Sequence, residues 1–229
     1  MDTKKQTTLL LILLIVPPII IFLSRQLFAA NYIFSSIYKI IFLFPLFFRL
    51  FIEKKTLKHS LFENFSFKIF RKNIFSIMLI GFILASIYVS SFLLFKDWLD
   101  LEIIVIKLHE LISINISNLI FIGLYIVIVN SLLEEYFWRG FMFQKLRRLI
   151  RPGMAYLFTG IAFSFHHIMF YYNWFNMTFF LIVTIGLIVY AMIMNFIFER
   201  YKDLLSCWLV HSLVDIAQIF IAFKIFNLI

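Results

Sequence analysis

The chain carries seven ionisable side chains inside runs that are otherwise apolar: Glu134, Glu135 and Arg139 in EEYFWR, His166 and His167 in FSFHH, and His211 and Asp215 in HSLVD. Carboxylates and imidazoles move protons near neutral pH, so the set suits general acid and base work on a water or a carbonyl. On a helix, Glu135 and Arg139 stand four residues apart on one face, where the guanidinium neutralises the carboxylate. Glu134 points about 100° away and is left for another partner, as a general base requires. His211 and Asp215 are also four apart, so one face presents both, and the aspartate can hold the imidazole in one tautomer. Asn130 and Asn195, also within apolar runs, read as polar glue between helices. The single cysteine, Cys207, reads as a packed apolar residue.

Such groups are costly where they stand. A charged side chain at the centre of a bilayer costs roughly 2.5 to 3.5 kcal/mol even on lenient insertion scales, so those that are kept mark a site or a pathway. Composition argues that lipid is the solvent. The 229 residues are 63% hydrophobic and 20% aromatic, with only 14% charged, and a water-soluble fold of this size has too much surface to hide that apolar area. The net charge of +9 would in a soluble protein raise nucleic-acid binding. Here the basic residues fall in short segments between apolar runs, and no nucleic-acid partner is expected.

A bilayer core needs roughly 17 to 25 apolar residues per helix. On that basis the sequence predicts an all-α integral membrane protein of about seven transmembrane helices, at 8–28, 31–52, 73–95, 118–144, 153–171, 177–198 and 204–227. Pro17 and Pro18 should kink the first, which reads as an uncleaved anchor rather than a signal peptide. Lys39 interrupts the second and is expected to snorkel to the interface. Two connectors read as surface helices: 53–72, whose phenylalanines and lysines suit anionic headgroups, and 98–116, interfacial or shallowly re-entrant and the candidate for an eighth helix.

The basic groups at 4–5, 54–72, 145–151 and 200–202 all fall on one side of this topology, which places the N-terminus in the cytoplasm. Counting ~1.5 Å per residue inward from those loops puts Glu134 ~16 Å and His211 ~12 Å deep. The polar groups can therefore meet in a cavity in the cytoplasmic half of the bundle. The chain is a single membrane domain in two parts, membrane helices with amphipathic connectors over 1–117 and a catalytic core over 118–229. No repeat, low-complexity tract or soluble domain is visible.

The three motifs resemble, in order, the EExxxR, FxxxH and HxxxN/D signature of the CPBP (CAAX protease and bacteriocin-processing, or Abi) family of intramembrane proteases. That family includes the Ras-converting prenyl endopeptidase. EEYFWR, FSFHH and HSLVD stand on three separate apolar helices, and the resemblance covers roughly residues 118–220. It implies an intramembrane endopeptidase in which Glu134 with His167 activates a water, His211 with Asp215 stabilises the oxyanion, and Glu135 with Arg139 shapes and neutralises the site. The FxxxH spacing selects His167 over His166, which is left a supporting or interfacial role. Family members show eight helices around a cavity open to membrane and cytoplasm.

No cofactor is firmly implied. Zinc would suit one Glu and two His, here Glu134, His167 and His211, with an open position for water, although the HExxH helix of zinc peptidases is absent. The expected partners are the lipid bilayer and a membrane-associated peptide or protein substrate whose prenylated or helical apolar tail enters from lipid. In a bacterium the location would be the plasma membrane. The alternative is a non-proteolytic membrane scaffold or bacteriocin-immunity protein retaining the fold. A proton-coupled transporter should show internal repeats, and there are none.

Overall fold

A computed structural model describes residues 37–112, 118–171 and 174–226, with short stretches between 8 and 23. Nearly all the described residues are helical, and none is in a strand. After a broken segment at 37–52 come α1 (Leu57–Phe62), α2 (Phe67–Phe95) and α3 (Leu101–Ile112). Then follow α4 (Leu119–Leu149), α5 (Pro152–Tyr171), α6 (Met177–Tyr201) and α7 (Leu204–Ile225). The long helices start where a side chain takes up a first-turn amide. Ser66 accepts from Ile69 N at the head of α2, Asn176 from Phe179 N at α6, and Asp203 from Ser206 N at α7, the N-cap arrangement. Helix α6 ends at Lys202, whose φ of 52° turns the chain sharply into α7.

Four stretches are long and apolar enough to cross a membrane: Leu57–Trp98, Leu119–Leu149, Met177–Tyr201 and Leu204–Ile225. They overlap the predicted spans at 73–95, 118–144, 177–198 and 204–227, and the chain is a multi-pass membrane protein. The predicted count of seven or eight is not reached among the described residues, for identifiable reasons. The span at 153–171 is a helix, α5, but its paired histidines and its glycines dilute its hydropathy below that of the other four. The span at 31–52 is described from 37 and is broken into a tight turn at Ile37–Leu43, a short helix at Phe44–Phe47 and a wide turn at Phe48–Ile52. Connector 98–116 yields only the 12-residue α3, ~18 Å long against a core of ~30 Å. The span at 8–28 lies mostly outside the described residues, Pro17 and Pro18 included.

Helix α7 packs along α2, and α6 along α5. At Gly81 the approach is close enough that a Cβ would stand 2.5 Å from Leu213 Cδ1. The core gathers on the second half of α4, where Phe137, Trp138, Phe141, Met142 and Phe143 are almost wholly buried against Phe42, Phe48, Phe163 and Phe198. Lys39 does not snorkel outward: it is buried, with its ammonium 5.0 Å above the Tyr125 ring.

Candidate active site

The glutamate pair lies on a single α-helical stretch, Ser131–Phe137, bracketed inside α4 by two wider π turns at Ile126–Asn130 and Trp138–Phe143. Such turns insert a residue into a helix and re-aim the side chains around it, commonly at functional sites. Each leaves a carbonyl that side chains take up, at least one of them from another element. Val127 O accepts from the hydroxyls of Ser131 and Ser212, at 2.6 and 2.8 Å. Gly140 O accepts from Arg49 Nη2 and Asn64 Nδ2, at 2.6 and 2.8 Å.

The adjacent glutamates turn to different partners. Glu135, fully buried, places one oxygen, Oε1, 2.9 Å from Arg139 Nη1 and 2.7 Å from His211 Nδ1. The expected i,i+4 ion pair is therefore present, and it is shared with a histidine from α7. The Arg139 guanidinium lies 4.4 Å over the Phe163 ring, and its Nη2 reaches Ala191 O at 3.5 Å. Glu134 instead accepts at Oε1 from Asn130 Nδ2, at 2.7 Å. Its Oε2 has no hydrogen-bond partner and stands 3.8 Å from His167 Nε2. The His167 ring bonds at Nδ1 to Phe163 O, at 3.0 Å, and stacks 4.4 Å from the Phe163 ring. A carbonyl only accepts, so Nδ1 carries a proton, and in the neutral ring Nε2 faces Glu134 as an acceptor.

His211 and Asp215 share a face as expected, but their nearest approach, Nε2 to Oδ1, is 3.7 Å, too long for a hydrogen bond. Glu135, not Asp215, holds the His211 ring. All six predicted site residues thus cluster, in two linked halves: Glu134 with His167, and Glu135 with Arg139, His211 and Asp215. Most of the set is buried, and His167 is the opening, its side chain 26% exposed.

His166 is closer to the chemistry than a supporting role suggests. It is buried between Phe42 and Trp138, and with Glu134 and His167 it offers donor atoms all within 4.8 Å of one another. His211 is outside that group. The residues whose donor atoms lie this close are thus Glu134, His166 and His167, with His166 where the expected zinc trio had His211. The donor types fit zinc, but bound ligand atoms ~2.0–2.2 Å from the ion would have to draw together from their present spacing. Asn195 does act as glue, from α6 to Thr159 on α5, at 2.7 Å, whereas Asn130 serves Glu134. Arg49 and Asn64 were invisible to motif reasoning, because nothing in their own neighbourhood marks them.

With this geometry in hand, one comparison bears on its class. The family model for type II CAAX prenyl endopeptidase Rce1-like proteins matches residues 116–217. The matched stretch, a little under half of the chain, carries all three motifs. Over that stretch the chain is similar to the CPBP, or CAAX protease, family of membrane proteases. No curated protein and no solved structure matches.

Proposed function

We propose that the protein is an intramembrane endopeptidase that hydrolyses a peptide bond of a membrane-associated substrate with glutamate-activated water. The observation that carries this reading is the unpartnered Glu134 Oε2 facing His167 Nε2 across 3.8 Å, two acceptors converging on one point. A water there donates one hydrogen to each and presents its lone pair outward. Glu134 takes the proton as the water oxygen attacks the carbonyl carbon, the tetrahedral oxyanion collapses, the C–N bond breaks, and Glu134 returns the proton to the leaving amine. His211 lies beside this pair and gives its Nδ1–H to Glu135; as an imidazolium it carries a second N–H at Nε2 for the developing oxyanion, with the Asp215 carboxyl 3.7 Å from that same nitrogen to support its charge. Arg139 balances Glu135, and Asn130 fixes the inactive oxygen of Glu134.

The substrate reading follows from setting and family together. Apolar helices surround the site, so the scissile bond is brought by a lipid-soluble tail, prenyl or helical. The matching family is described as a type II CAAX prenyl endopeptidase, which makes a prenylated CAAX peptide the first substrate to try. Zinc at Glu134, His166 and His167 would instead polarise the carbonyl and acidify the water. In the test, purified protein in liposomes receives a farnesylated CAAX peptide and an unprenylated hydrophobic peptide, with products read by mass spectrometry. The wild type should cleave at least one, and Glu134→Gln should be ~10²-fold slower or worse. Equal rates would remove Glu134 from the mechanism.

A further inference from the structure

A site that stabilises an oxyanion needs hydrogen-bond donors, and many of those around these motifs are already committed. Asn130 gives its amide to Glu134, His167 Nδ1 bonds to Phe163 O, His211 Nδ1 to Glu135, and the Arg139 Nη groups to Glu135 and Ala191 O. Four of the atoms left over are acceptors, Asn130 Oδ1, Glu134 Oε2, Glu135 Oε2 and Asp215 Oδ2. Acceptors repel a developing negative charge. Donors are left over as well. Trp138 Nε1 and Arg139 Nε are two, but each residue is 1% exposed, the indole packed against Phe137 and Phe163 and the guanidinium sealed beneath the Phe163 ring. Trp208 Nε1 is a third, one turn before His211 on α7. The fourth is the hydroxyl of Tyr190, buried and without a partner, on a ring that stands against those of His211 and Phe163.

Tyr190 stands on α6 next to Ala191, whose carbonyl Arg139 reaches. Its ring centroid lies 5.9 Å from that of His211, at a steep 72°, and 6.2 Å from that of Phe163. Its hydroxyl is within electrostatic reach of Glu134, Glu135, Arg139 and Asp215. A buried hydroxyl with no partner is costly to the fold, and a site recovers that cost when a ligand arrives to accept the bond. No motif includes Tyr190, and its sequence neighbourhood, LIVYAMI, carries no signal.

We propose that Tyr190 is a catalytic residue, a neutral donor whose phenolic O–H hydrogen-bonds the substrate carbonyl oxygen as it becomes an oxyanion, alongside His211 Nε2. The phenol keeps its proton throughout, so the water's hydrogen still passes through Glu134 to the leaving amine. This inference rests on the protease reading, and the experiment separates the two. Wild-type, Glu134→Gln and Tyr190→Phe proteins are assayed in liposomes on the farnesylated CAAX peptide, and each is titrated with a peptide aldehyde, whose hydrate mimics the tetrahedral intermediate.

Tyr190→Phe removes one oxygen atom and nothing else. Loss of one oxyanion donor lowers kcat by ~10²–10³-fold, with KM and melting temperature close to wild type and aldehyde affinity reduced. A kcat within about threefold of wild type overturns the proposal, as does a loss carried entirely by KM, which would mark a binding role. If the wild type itself cleaves nothing, the protease reading fails and this inference with it. Should Tyr190→Phe not accumulate, 3,5-difluorotyrosine at position 190 keeps the ring and acidifies the hydroxyl. Its rate should fall at alkaline pH where the wild type holds, and superimposable profiles would count against a donor role.

Discussion

Glu134 and Glu135 are neighbours in sequence, but a rotation of about 100° between consecutive helical residues sends them to different histidines. The spacing of the motifs foretold that divergence. It also foretold the Glu135–Arg139 pair, because both belong to one helix. It misjudged who holds His211: i,i+4 spacing points to Asp215, whereas the bond goes to Glu135, 76 residues away, and periodicity reports only neighbours on the same helix. The consequence is testable. Glu135→Gln should lower activity by ~10²-fold, by analogy with triads that lose their orienting acid. It should also cost ~3–5 kcal/mol of stability, because Arg139 becomes an unpaired buried charge. Asp215→Asn, with no hydrogen bond to lose, should stay within about tenfold of wild type. Melting curves and a pH-rate profile of the two variants check this, and a larger loss at Asp215 would reverse the assignment. Metal removal discriminates at the same scale. With glutamate-activated water, dialysis against a chelator leaves the rate unchanged; a loss restored by zinc but not magnesium would move the reaction to a metal at Glu134, His166 and His167.

Helix α4 was legible as an element and opaque in its interior. Nothing in LIFIGLYIVIVNSLLEEYFWRGFMFQ announces two π turns, because their stability comes from side chains that arrive from elsewhere to satisfy the freed carbonyls. Arg49 shows how distant that source is. It is 1% exposed, gives Nη1 to Ser60 O at 2.9 Å and Nη2 to Gly140 O, and pairs with Glu63 at 3.3 Å. Asn64 joins two motif-bearing helices, its side chain bonding Gly140 O and Gln144 on α4 while its backbone O accepts from Leu204 N at the head of α7. Arg49→Met or Asn64→Leu should therefore destabilise by ~1.5–3 kcal/mol, with the exposed Lys58→Ala near neutral, as read by thermal denaturation in detergent. Acid adds a second reading. Burial pushes the Glu53 carboxyl up, but hydrogen bonds and charge from Lys145 and Lys55 outweigh it and hold the group below its ordinary value. A carboxyl held down by folding stabilises above its unfolded value, ~4.3, and loses that contribution as pH falls through the folded one. The stability gap between wild type and Lys145→Ala should thus be open at pH 7 and close in acid.

At the scale of the molecule, composition and run length established an all-helical membrane protein, while the number of crossings depends on segments too short or too broken for hydropathy to judge. Contacts tie the basic segments together. Lys145 pairs with Glu53, Arg147 with Glu199 at 2.9 Å, Ser66 N with Asp203 at 2.7 Å, and Leu204 N with Asn64 O at 2.8 Å. Residues 53–66, 145–151 and 199–204 therefore meet at one end of the bundle whatever precedes residue 37, and Lys54, Lys58, Lys68, Arg71, Lys72 and Arg151 are exposed near it. Lysine and arginine clustered at one end are expected to hold that end in the cytoplasm, and labelling tests the expectation. The other end holds Asp97, Asp100 and Glu102 against Lys96 and Lys107, with no such excess. Cys207 is buried, so cysteines can be introduced one at a time without removing a reactive native thiol. Lys58→Cys, Arg151→Cys and Lys202→Cys should resist a membrane-impermeant maleimide in intact cells and label in inverted vesicles, and Trp98→Cys should do the reverse. Labelling of all four from one side would break the shared-end arrangement, and labelling of the three basic positions from outside would invert the protein.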